Sequence, residues 1–279
     1  MIYELNENEY YKIRPLINGR TDMNVSLNAI VDGTNRGKVW VDNLHKPETA
    51  IVWAIGCIYF IIGDSDNEDF NNSLDSYITD VLGPDSLATC GGTHFGVTLY
   101  EDKWECKLDS IFKHRNPYIE NKYCYIFNEE KYNNLRNLQN RLPEGYTIKS
   151  IDKAMIDNDV ENLIVDDILG DFWTSVDEFL DKGIGFCILK GNKIISNCFT
   201  GYVSGNIHEM VIRTYGEENK RKGFATFVSR AFIDYCTSNR SMPYWGTDED
   251  NMGSQLTAEK CGFELYKKCK TYYFPFLLQ

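Results

Sequence analysis

The sequence predicts an α/β protein, in which a C-terminal mixed sheet flanked by helices follows a smaller α+β domain. From residue 146 onward, β-like and helical segments alternate, and the front half of this region carries the pattern of an antiparallel hairpin. A turn signal, Leu142-Pro143-Glu144-Gly145, precedes this alternation. We therefore predict two domains, 1–142 and 143–279, with the junction near residue 143.

The first domain mixes helical and β-like segments, and no internal repeat or low-complexity tract interrupts it. The segment Tyr100–His114 places its apolar residues near one face, and the aromatic residues Trp40, Trp53 and Tyr59 are expected in the core. Gly83-Pro84 is a stop signal for the helix before it. The pattern predicts helices over Glu7–Ile17, Met23–Val31, Phe70–Val81 and Lys131–Arg141, and strands over Lys38–Asp42, Ala50–Ile55, Cys57–Gly63 and Lys122–Phe127.

The second domain begins with a strand and two helices. Ser175 is a candidate N-cap, because Glu178 follows it at the spacing of a capping box. Gly191-Asn192 is a turn signal between two β-like segments. The predicted order is strand Tyr146–Ile151, helices Asp157–Leu169 and Ser175–Lys182, strands Gly185–Leu189, Lys193–Tyr202 and Ile207–Thr214, a helix to about Ser238, strand Pro243–Thr247, helix Asn251–Lys260 and strand Phe263–Phe274.

A basic, glycine-containing turn, residues 220–223, separates strand Ile207–Thr214 from the helix that follows. The leading N–H groups of a helix lack partners inside it and lie at the positive end of its dipole, so they attract phosphate. Gly223 has no Cβ, so the backbone can approach a phosphate closely, and Ala225 adds little bulk. Lys220, Arg221 and Lys222 concentrate positive charge in a chain of net charge −12.

The helix after this turn has one apolar face, which leaves its N-terminus open. The residues that recur at three- and four-residue spacings are Phe224, Phe227, Val228, Ala231, Phe232 and Tyr235. A strand, a phosphate-type turn and a helix in this order predict a binding site for a cofactor that carries a pyrophosphate. The alternative is a helix that simply begins with a glycine and some lysines, since short glycine patterns are weak signals.

Two further motifs connect this turn to a known family. Lys220-x-x-Gly223-x-Ala225 resembles the turn Arg/Gln-x-x-Gly-x-Gly/Ala of the GNAT superfamily of N-acetyltransferases, with lysine as a departure in the first position. Asn251-x-x-Ser254, followed by a helix that ends in Gly262-Phe263, is similar to that family's last helix. Pro243-x-Trp245 is similar to a bacterial branch that carries an additional N-terminal domain. The resemblance covers about half of the chain in detail and implies a GNAT-type mixed sheet.

The resemblance implies that the protein uses acetyl-CoA as co-substrate and transfers its acetyl group directly to a primary amine. In this family the strand before the turn diverges from its neighbour and binds the pantetheine arm through its backbone, and a backbone N–H near Val211 would polarise the thioester oxygen. The cofactor-binding residues implied are Met210, Val211, Ile212, Arg213, Lys220, Arg221, Lys222, Gly223, Phe224, Ala225, Thr226, Asn251 and Ser254.

Glu209 is the candidate general base, because a carboxylate on the central strand beside the cleft could take a proton from an ammonium group. It could instead be a structural carboxylate or a clamp for the ammonium group of the substrate. Alternation along a strand sends His208 to the opposite face, so we interpret His208 as a partly buried structural histidine.

One position departs from the family pattern. Many GNAT enzymes have a tyrosine four residues before Gly-Phe that protonates the leaving thiolate, and here Ala258 occupies that place. Tyr266, Tyr272, Ser254, water or no acid at all remain as alternatives. Cys261 is interpreted as a packing residue. The departure keeps a second hypothesis open, a catalytically silent acyl-CoA-binding or sensory module.

The composition and motifs of the chain argue against several classes of partner and function. The acidic balance argues against nucleic acid, which needs a basic face. The longest apolar run, residues 50–62, is about 13 residues and too short for a membrane span. No secretory signal is recognised, and nine scattered cysteines indicate reduced thiols and a cytoplasmic protein, without metal-type spacing for a metal site. A nucleotide-binding kinase is disfavoured because the pattern Gly-x4-Gly-Lys-Ser/Thr is absent from the sequence.

The acceptor is expected to be a small molecule or a peptide that carries an amine, and the protein a monomer or homodimer. Acid-rich segments could attract a cationic amine such as a polyamine, an aminoglycoside-like antibiotic or a lysine side chain. The simpler interpretation, which we favour for each segment, is a solvated acidic surface that keeps the protein soluble. The first domain is expected to shape the acceptor cleft, because pockets favour domain interfaces. The acid-rich segments are 64–69, 157–167, 217–218 and 248–250.

Overall fold

The structure, a computed structural model, describes residues 1–17, 24–99, 101–136, 141–158, 160–170 and 172–277. The chain forms two compact units: unit 1 is Met1–Lys122 with Lys268–Gln279, and unit 2 is Tyr123–Lys267. These boundaries differ from the predicted junction near 143, because the last strand starts in unit 2 and ends in unit 1. The assignment of 1–142 and 143–279 to an accessory and a catalytic domain stays a prediction.

Unit 1 contains the strands β1 to β5 and most of the predicted N-terminal elements. It begins with strand β1 and a 3-10 helix over Glu7–Leu16, and a π-helical stretch, Ile78–Leu82, joins α2 to α3. The strands and α-helices are β1 (Tyr3–Glu4), α1 (Val25–Val31), β2 (Gly37–Val41), β3 (Thr49–Ala54), β4 (Ile58–Gly63), α2 (Glu68–Tyr77), α3 (Gly83–Cys90), β5 (His94–Leu99), α4 (Glu105–Ile111) and β6 (Tyr118–Phe127), which extends into unit 2.

Four antiparallel strands, β1 to β4, follow one another in this sheet, and β5 then pairs with β4 in parallel. The continuous apolar runs of β3 and β4 are buried over their whole length, as expected for strands covered on both faces. Trp40, Trp53 and Tyr59 lie in the core as predicted, with the rings of Trp53 and Tyr59 stacked at 5.2 Å.

Two expectations for unit 1 were incomplete. The helical path does not stop at Gly83-Pro84, because the π-helical stretch leads directly into α3 with Pro84 near the start of α3. Strand β5 was not predicted, although Phe95, Val97 and Leu99 alternate with smaller or polar residues and are buried. It pairs with β4 and with the end of the last strand.

Unit 2 has the same arrangement of strands. Strands β7 to β10 are antiparallel neighbours, β10 pairs with β11 in parallel, and β6 and β12 continue the order beyond β11. Its elements are α5 (Glu129–Arg136), β7 (Tyr146–Ser150), α6 (Lys153–Asp157), α7 (Val165–Leu169), α8 (Val176–Lys182), β8 (Gly185–Lys190), β9 (Lys193–Ser204), β10 (Ile207–Thr214), α9 (Phe224–Ser238), β11 (Met242–Asp248), α10 (Met252–Lys260) and β12 (Phe263–Pro275).

The predicted mixed sheet is confirmed, and so is the N-cap Ser175, whose hydroxyl accepts from the backbone N–H of Glu178. The predicted helix Asp157–Leu169 is wrong as a single element. Asn162 has a positive φ of 68° and Glu161 forms a β-bridge with Lys193, so α6 and α7 are separate helices. The predicted helix Lys131–Arg141 is observed as α5, and residues 137–140 lie outside the described part of the chain.

Helix α9 starts where the sequence predicts, but its buried face is rotated. Phe224, Val228 and Phe232 are buried as expected, whereas Tyr235 is 46% exposed and Ile233 and Cys236 take its place. The helix covers one face of the sheet, where it packs against Met210 and Trp245 in a single apolar cluster. Its N-terminus therefore lies at the carboxyl end of β10.

Candidate active site

Strands β10 and β11 diverge, and this divergence defines the site. They pair at Ile207↔Met242, His208↔Pro243 and Glu209↔Tyr244. No later pair joins the two strands, both of which are described in full, although β10 runs on to Thr214 and β11 to Asp248. The sheet thus opens into a V whose vertex is the pair Glu209↔Tyr244.

The open edge of β10 is the stretch Met210–Thr214. On its other side this stretch remains paired with β9, from Met210↔Thr200 to Thr214↔Ser196. Strand β11 does not pair with this stretch, so an extended ligand can add to this edge as a strand would. The predicted arm-binding residues Met210, Val211, Ile212 and Arg213 all lie on it.

A β-bulge marks the vertex. Two residues of β9, Gly201 and Tyr202, oppose the single residue Glu209 between the pairs His208↔Val203 and Met210↔Thr200. Bulges are frequent next to active sites, where they re-aim side chains. A Cβ on Gly201 would lie 2.8 Å from a methyl group of Val211 and 3.2 Å from the Phe172 ring, so the bulge packs closely over β10.

The turn between β10 and α9 leaves the helix N-terminus accessible. Gly223 adopts φ 83° and ψ 3°, a left-handed conformation that favours glycine, and no side chain caps the helix. The first main-chain bond of the helix runs from the N–H of Phe227 to the carbonyl of Gly223. The N–H groups of residues 224–226 therefore precede the hydrogen-bond ladder of the helix and are the donors that an anion would meet.

Space around Gly223 is open. A Cβ placed there would have one neighbour within 4 Å, the Phe227 ring at 3.7 Å. Residues 220–223 are exposed, and Arg221 also has a positive φ, 61°, which is uncommon outside glycine. The side chain of Lys220 forms an ion pair with Glu217, and the side chain of Lys222 is also exposed. The turn combines free volume, donors and positive charge.

The two predicted residues at α10 have local structural roles. The side-chain oxygen of Asn251 accepts from the backbone N–H of Ser254 at 3.1 Å and so caps α10. The hydroxyl of Ser254 accepts from the indole N–H of Trp245 at 3.0 Å. Both contacts hold the start of α10 beside the diverging end of β11, and a role for Asn251 and Ser254 in cofactor binding stays a prediction.

Glu209 points away from α9. Its neighbours in sequence, His208 and Met210, face α9, since the His208 ring lies 6.5 Å from Phe232 and Met210 belongs to the α9 cluster. Val211, two residues on, packs against the opposite cluster with Phe199 and Trp173. The half-buried Glu209 therefore shares the Val211 face at the vertex of the V.

His208 is the structural residue that the sequence predicts. It is 7% exposed, its Nδ1 lies 3.3 Å from the hydroxyl of Thr200, and burial lowers its pKa to about 4. An imidazole of this pKa is neutral at physiological pH. His208 and Glu209 do not act together, as the alternation of the strand predicts.

Replacing His208 with glutamine is expected to make the fold less sensitive to acid. Between the unfolded pKa of 6.5 and the folded value of about 4, the unfolded chain binds a proton that the folded chain does not. Stability is unaffected above this window and falls within it, by up to about 3 kcal/mol. Unfolding midpoints at about pH 7 and about pH 5 measure the difference, with His45→Gln on the exposed turn as control. An equal loss in wild type and His208→Gln would contradict this prediction.

Ala258 cannot act as an acid, and its surroundings leave no room for one. It is fully buried in the cluster that contains Val228, Cys261 and Phe263. Burial raises the pKa of the Cys261 thiol to about 12, which keeps it protonated and confirms its packing role. Among the other candidates, Tyr272 lies in unit 1 and donates to Asp109 at 2.6 Å. The hydroxyl of Ser254 lies beside the indole of Trp245, on the face that packs under α9.

The nine cysteines all lie within the described residues and form no disulfide with one another, and five of them are buried. Within the described ranges, no group of three or more His, Cys, Asp and Glu side chains could hold a metal ion. None of the described helices has the length and the apolar character needed to cross a membrane.

The arrangement of strands, vertex and turn matches that of a known family. A sequence profile described as GNAT acetyltransferase matches residues 14–272. The chain belongs to the GNAT acetyltransferase family. The GNAT match extends over both units, and the protein is therefore an acyltransferase of this type.

Relatives agree with this assignment. The GNAT chain is 29% identical over 245 residues to a protein of Bacillus subtilis (strain 168) described as uncharacterized N-acetyltransferase YdfB, with 88% of each chain covered. A GCN5-related N-acetyltransferase-like protein from Streptococcus suis 89/1591 aligns with a TM-score of 0.68 at 20% identity, over 96% of this chain and 100% of that chain. A tandem GNAT protein from the clavulanic acid biosynthesis pathway aligns with a TM-score of 0.64 at 10% identity, over 100% and 99%. At such identities the two solved structures establish the fold alone.

Proposed function

We propose that the protein transfers an acetyl group from acetyl-CoA directly to a primary amine. The V between β10 and β11 carries this proposal, because it leads from a carboxylate at its vertex to an uncapped helix N-terminus at its open end. An extended arm that ends in a pyrophosphate has the shape and charge that fit this path. No metal takes part in the proposed reaction.

Two parts of this path would hold two parts of coenzyme A. The N–H groups at the start of α9 and the basic residues of the turn would hold its pyrophosphate, with Gly223 allowing close approach. The open edge of β10 would pair with the pantetheine arm in the manner of an added strand. The residues proposed to contact it are Met210, Val211, Ile212, Arg213, Lys220, Arg221, Lys222, Gly223, Phe224, Ala225, Thr226, Asn251 and Ser254.

At the vertex, Glu209 would take a proton from the ammonium group of the acceptor, directly or through one water, and release the neutral amine for attack. The backbone N–H near Val211 would stabilise the negative charge that develops on the thioester oxygen. Acetyl-CoA supplies the activated acyl group, and coenzyme A leaves as the thiol.

The acceptor is proposed to be a small molecule or peptide with a cationic amine. Residues 248–250, at the end of β11, add acidic charge near the open end of the V. We propose neither nucleic acid nor a membrane as partner, since the chain is acidic. A cytoplasmic location fits the reduced thiols, and we propose a monomer or homodimer.

Unit 1 repeats the strand arrangement but is expected to bind no coenzyme A, so each chain should bind a single molecule. Pairing of β4 with β5 continues to Ile61↔Leu99, close to the end of both strands, so the edge is closed. The α2 N-terminus is capped by the side chain of Asn67, which accepts from Phe70 N–H at 3.1 Å. The acidic residues Asp64, Asp66, Glu68 and Asp69 surround it.

Native mass spectrometry of the full chain with acetyl-CoA measures how many molecules of acetyl-CoA bind to each chain. The prediction is one acetyl-CoA per chain at saturation and none in a Gly223→Glu variant. Two per chain would contradict the prediction of a single site, and one that remains in Gly223→Glu would contradict binding at the turn that contains Gly223.

Activity is tested by thiol release from acetyl-CoA in the presence of a panel of primary amines, which includes polyamines, aminoglycosides and lysine peptides. Release that depends on an amine, together with an acetylated product, supports transfer. Tight binding of coenzyme A without transfer to any amine would instead support a catalytically silent acyl-CoA-binding or sensory module, the alternative that Ala258 keeps open.

A further inference from the structure

We propose that Tyr244 is the residue that protonates the leaving sulfur of coenzyme A, in place of the tyrosine that the chain lacks at position 258. This inference rests on the proposed function. It assigns the second proton transfer of the reaction to a residue on β11, whereas the first belongs to Glu209 on β10.

The pairing of β10 with β11 places Tyr244 beside Glu209. The two residues form the last pair between β10 and β11, directly at the vertex of the V. Neighbouring strands lie about 4.8 Å apart, and residues that oppose each other in a sheet point to the same face. A glutamate and a tyrosine therefore stand side by side where the two strands separate.

The packing of their neighbours fixes that face. Trp245, the next residue on β11, belongs to the cluster beneath α9 together with Met210. Tyr244 must then point to the opposite face, which is also the face of Glu209 and Val211. Tyr244 is 7% exposed, so its ring is held in place by packing.

The direction of the arm brings the sulfur to this residue. The pyrophosphate turn follows the carboxyl end of β10, so an arm that adds to the open edge of β10 runs back from the turn towards the vertex. Its reacting end then lies near Met210 and Val211, one or two residues from the pair Glu209↔Tyr244. At about 3.3 Å per residue along a strand, this separation is within the reach of a tyrosine side chain.

The other hydroxyl groups named above are in less suitable positions. Ala258 has no hydroxyl and is buried beneath α9, on the face opposite to Tyr244. Ser254 binds the indole of Trp245, which faces α9, and so lies on the face opposite to Tyr244. Tyr266 is 43% exposed on β12, and Tyr272 donates to Asp109 in unit 1.

Protons balance in this arrangement. Glu209 passes the first proton, taken from the ammonium group, to water. The neutral amine then forms a bond to the acetyl carbon and loses its second proton to Glu209, while the carbon–sulfur bond breaks and its electron pair goes to sulfur. The hydroxyl of Tyr244 gives its proton to that sulfur and is reprotonated from Glu209, its neighbour across the strand pair. The products are the amide, the thiol of coenzyme A and one proton released to water, with both residues restored.

The test uses coenzyme A itself and needs no acceptor. A hydroxyl that donates to the sulfur stabilises the bound thiolate, so the pKa of bound coenzyme A, read from its ultraviolet thiolate absorbance, should be higher in Tyr244→Phe than in wild type by about one unit. Tyr235→Phe, on the exposed side of α9, is the matched control and should leave this pKa unchanged. With an amine substrate, Tyr244→Phe should lower kcat about 10- to 100-fold and leave KM for acetyl-CoA unchanged.

An identical thiol pKa in wild type and Tyr244→Phe, with coenzyme A bound to both, would overturn the role of Tyr244 and leave the proposed function intact. Failure of wild type to bind coenzyme A would refute the proposed function, and the role of Tyr244 with it. Equal thermal midpoints of the two proteins would show that removal of one hydroxyl leaves the fold unchanged.

Discussion

Replacing Gly223 with glutamate is expected to weaken acetyl-CoA binding at least about 100-fold, since it places a carboxylate against the pyrophosphate and removes the glycine that the turn requires. Gly223 has φ 83° and open space where a Cβ would stand, so the new side chain would fill the volume that a phosphate needs. Calorimetric titration of wild type and variant measures the change.

Gly205→Glu is the matched control. Gly205 also has a positive φ, 57°, with nothing within 4 Å of the position that a Cβ would take, and it lies in the turn between β9 and β10, at the other end of β10 from Gly223. Both variants bear the same kind of backbone strain and the same charge change, but only Gly223→Glu should lose affinity. An unchanged dissociation constant in Gly223→Glu would refute the assignment of the phosphate turn.

Replacing Glu209 with glutamine is expected to lower kcat for amine acetylation by about 100- to 1000-fold, because the amide cannot accept the proton of the ammonium group. Glu209 and glutamine have nearly the same shape, so the vertex should keep its packing. KM for acetyl-CoA should change little, since the pyrophosphate and the arm bind elsewhere along the V. Initial rates of thiol release against pH measure the effect, and the acid limb of the wild-type profile should disappear.

Glu259→Gln, on the exposed side of α10, removes the same charge without touching the vertex and should keep full activity. If Glu209 only clamps the ammonium group, Glu209→Gln would raise KM for the amine and leave the pH profile in place. Rates that do not change in Glu209→Gln would exclude both roles.

Local signals allowed the turn and the helices around it to be predicted from the sequence. Gly223 opens α9, Asn251 caps α10 and Ser175 caps α8, and each of these depends on residues a few positions apart. The same holds for the opposite faces of His208 and Glu209, which follow from the alternation of a single strand.

The resemblance implied that β10 diverges from its neighbour, but the pairing of particular distant residues was not predicted. The vertex needs the register of β10 against β11, which brings Tyr244 beside Glu209 from 35 positions away along the chain. The path of β12, which begins in unit 2 and ends against β5 in unit 1, depends on a pairing across more than half of the sequence. The local pattern of Asp157–Leu169 favoured one helix, but the pairing of Glu161 with Lys193 interrupts it.

Calorimetric titration of the full chain with acetyl-CoA, with ATP and NAD as controls, tests the central claim most directly. The V and the uncapped start of α9 predict selective binding of acetyl-CoA, with a dissociation constant in about the micromolar range and one site per chain. Absence of binding, or binding of ATP or NAD as tight as that of acetyl-CoA, would contradict the proposal that this turn holds coenzyme A.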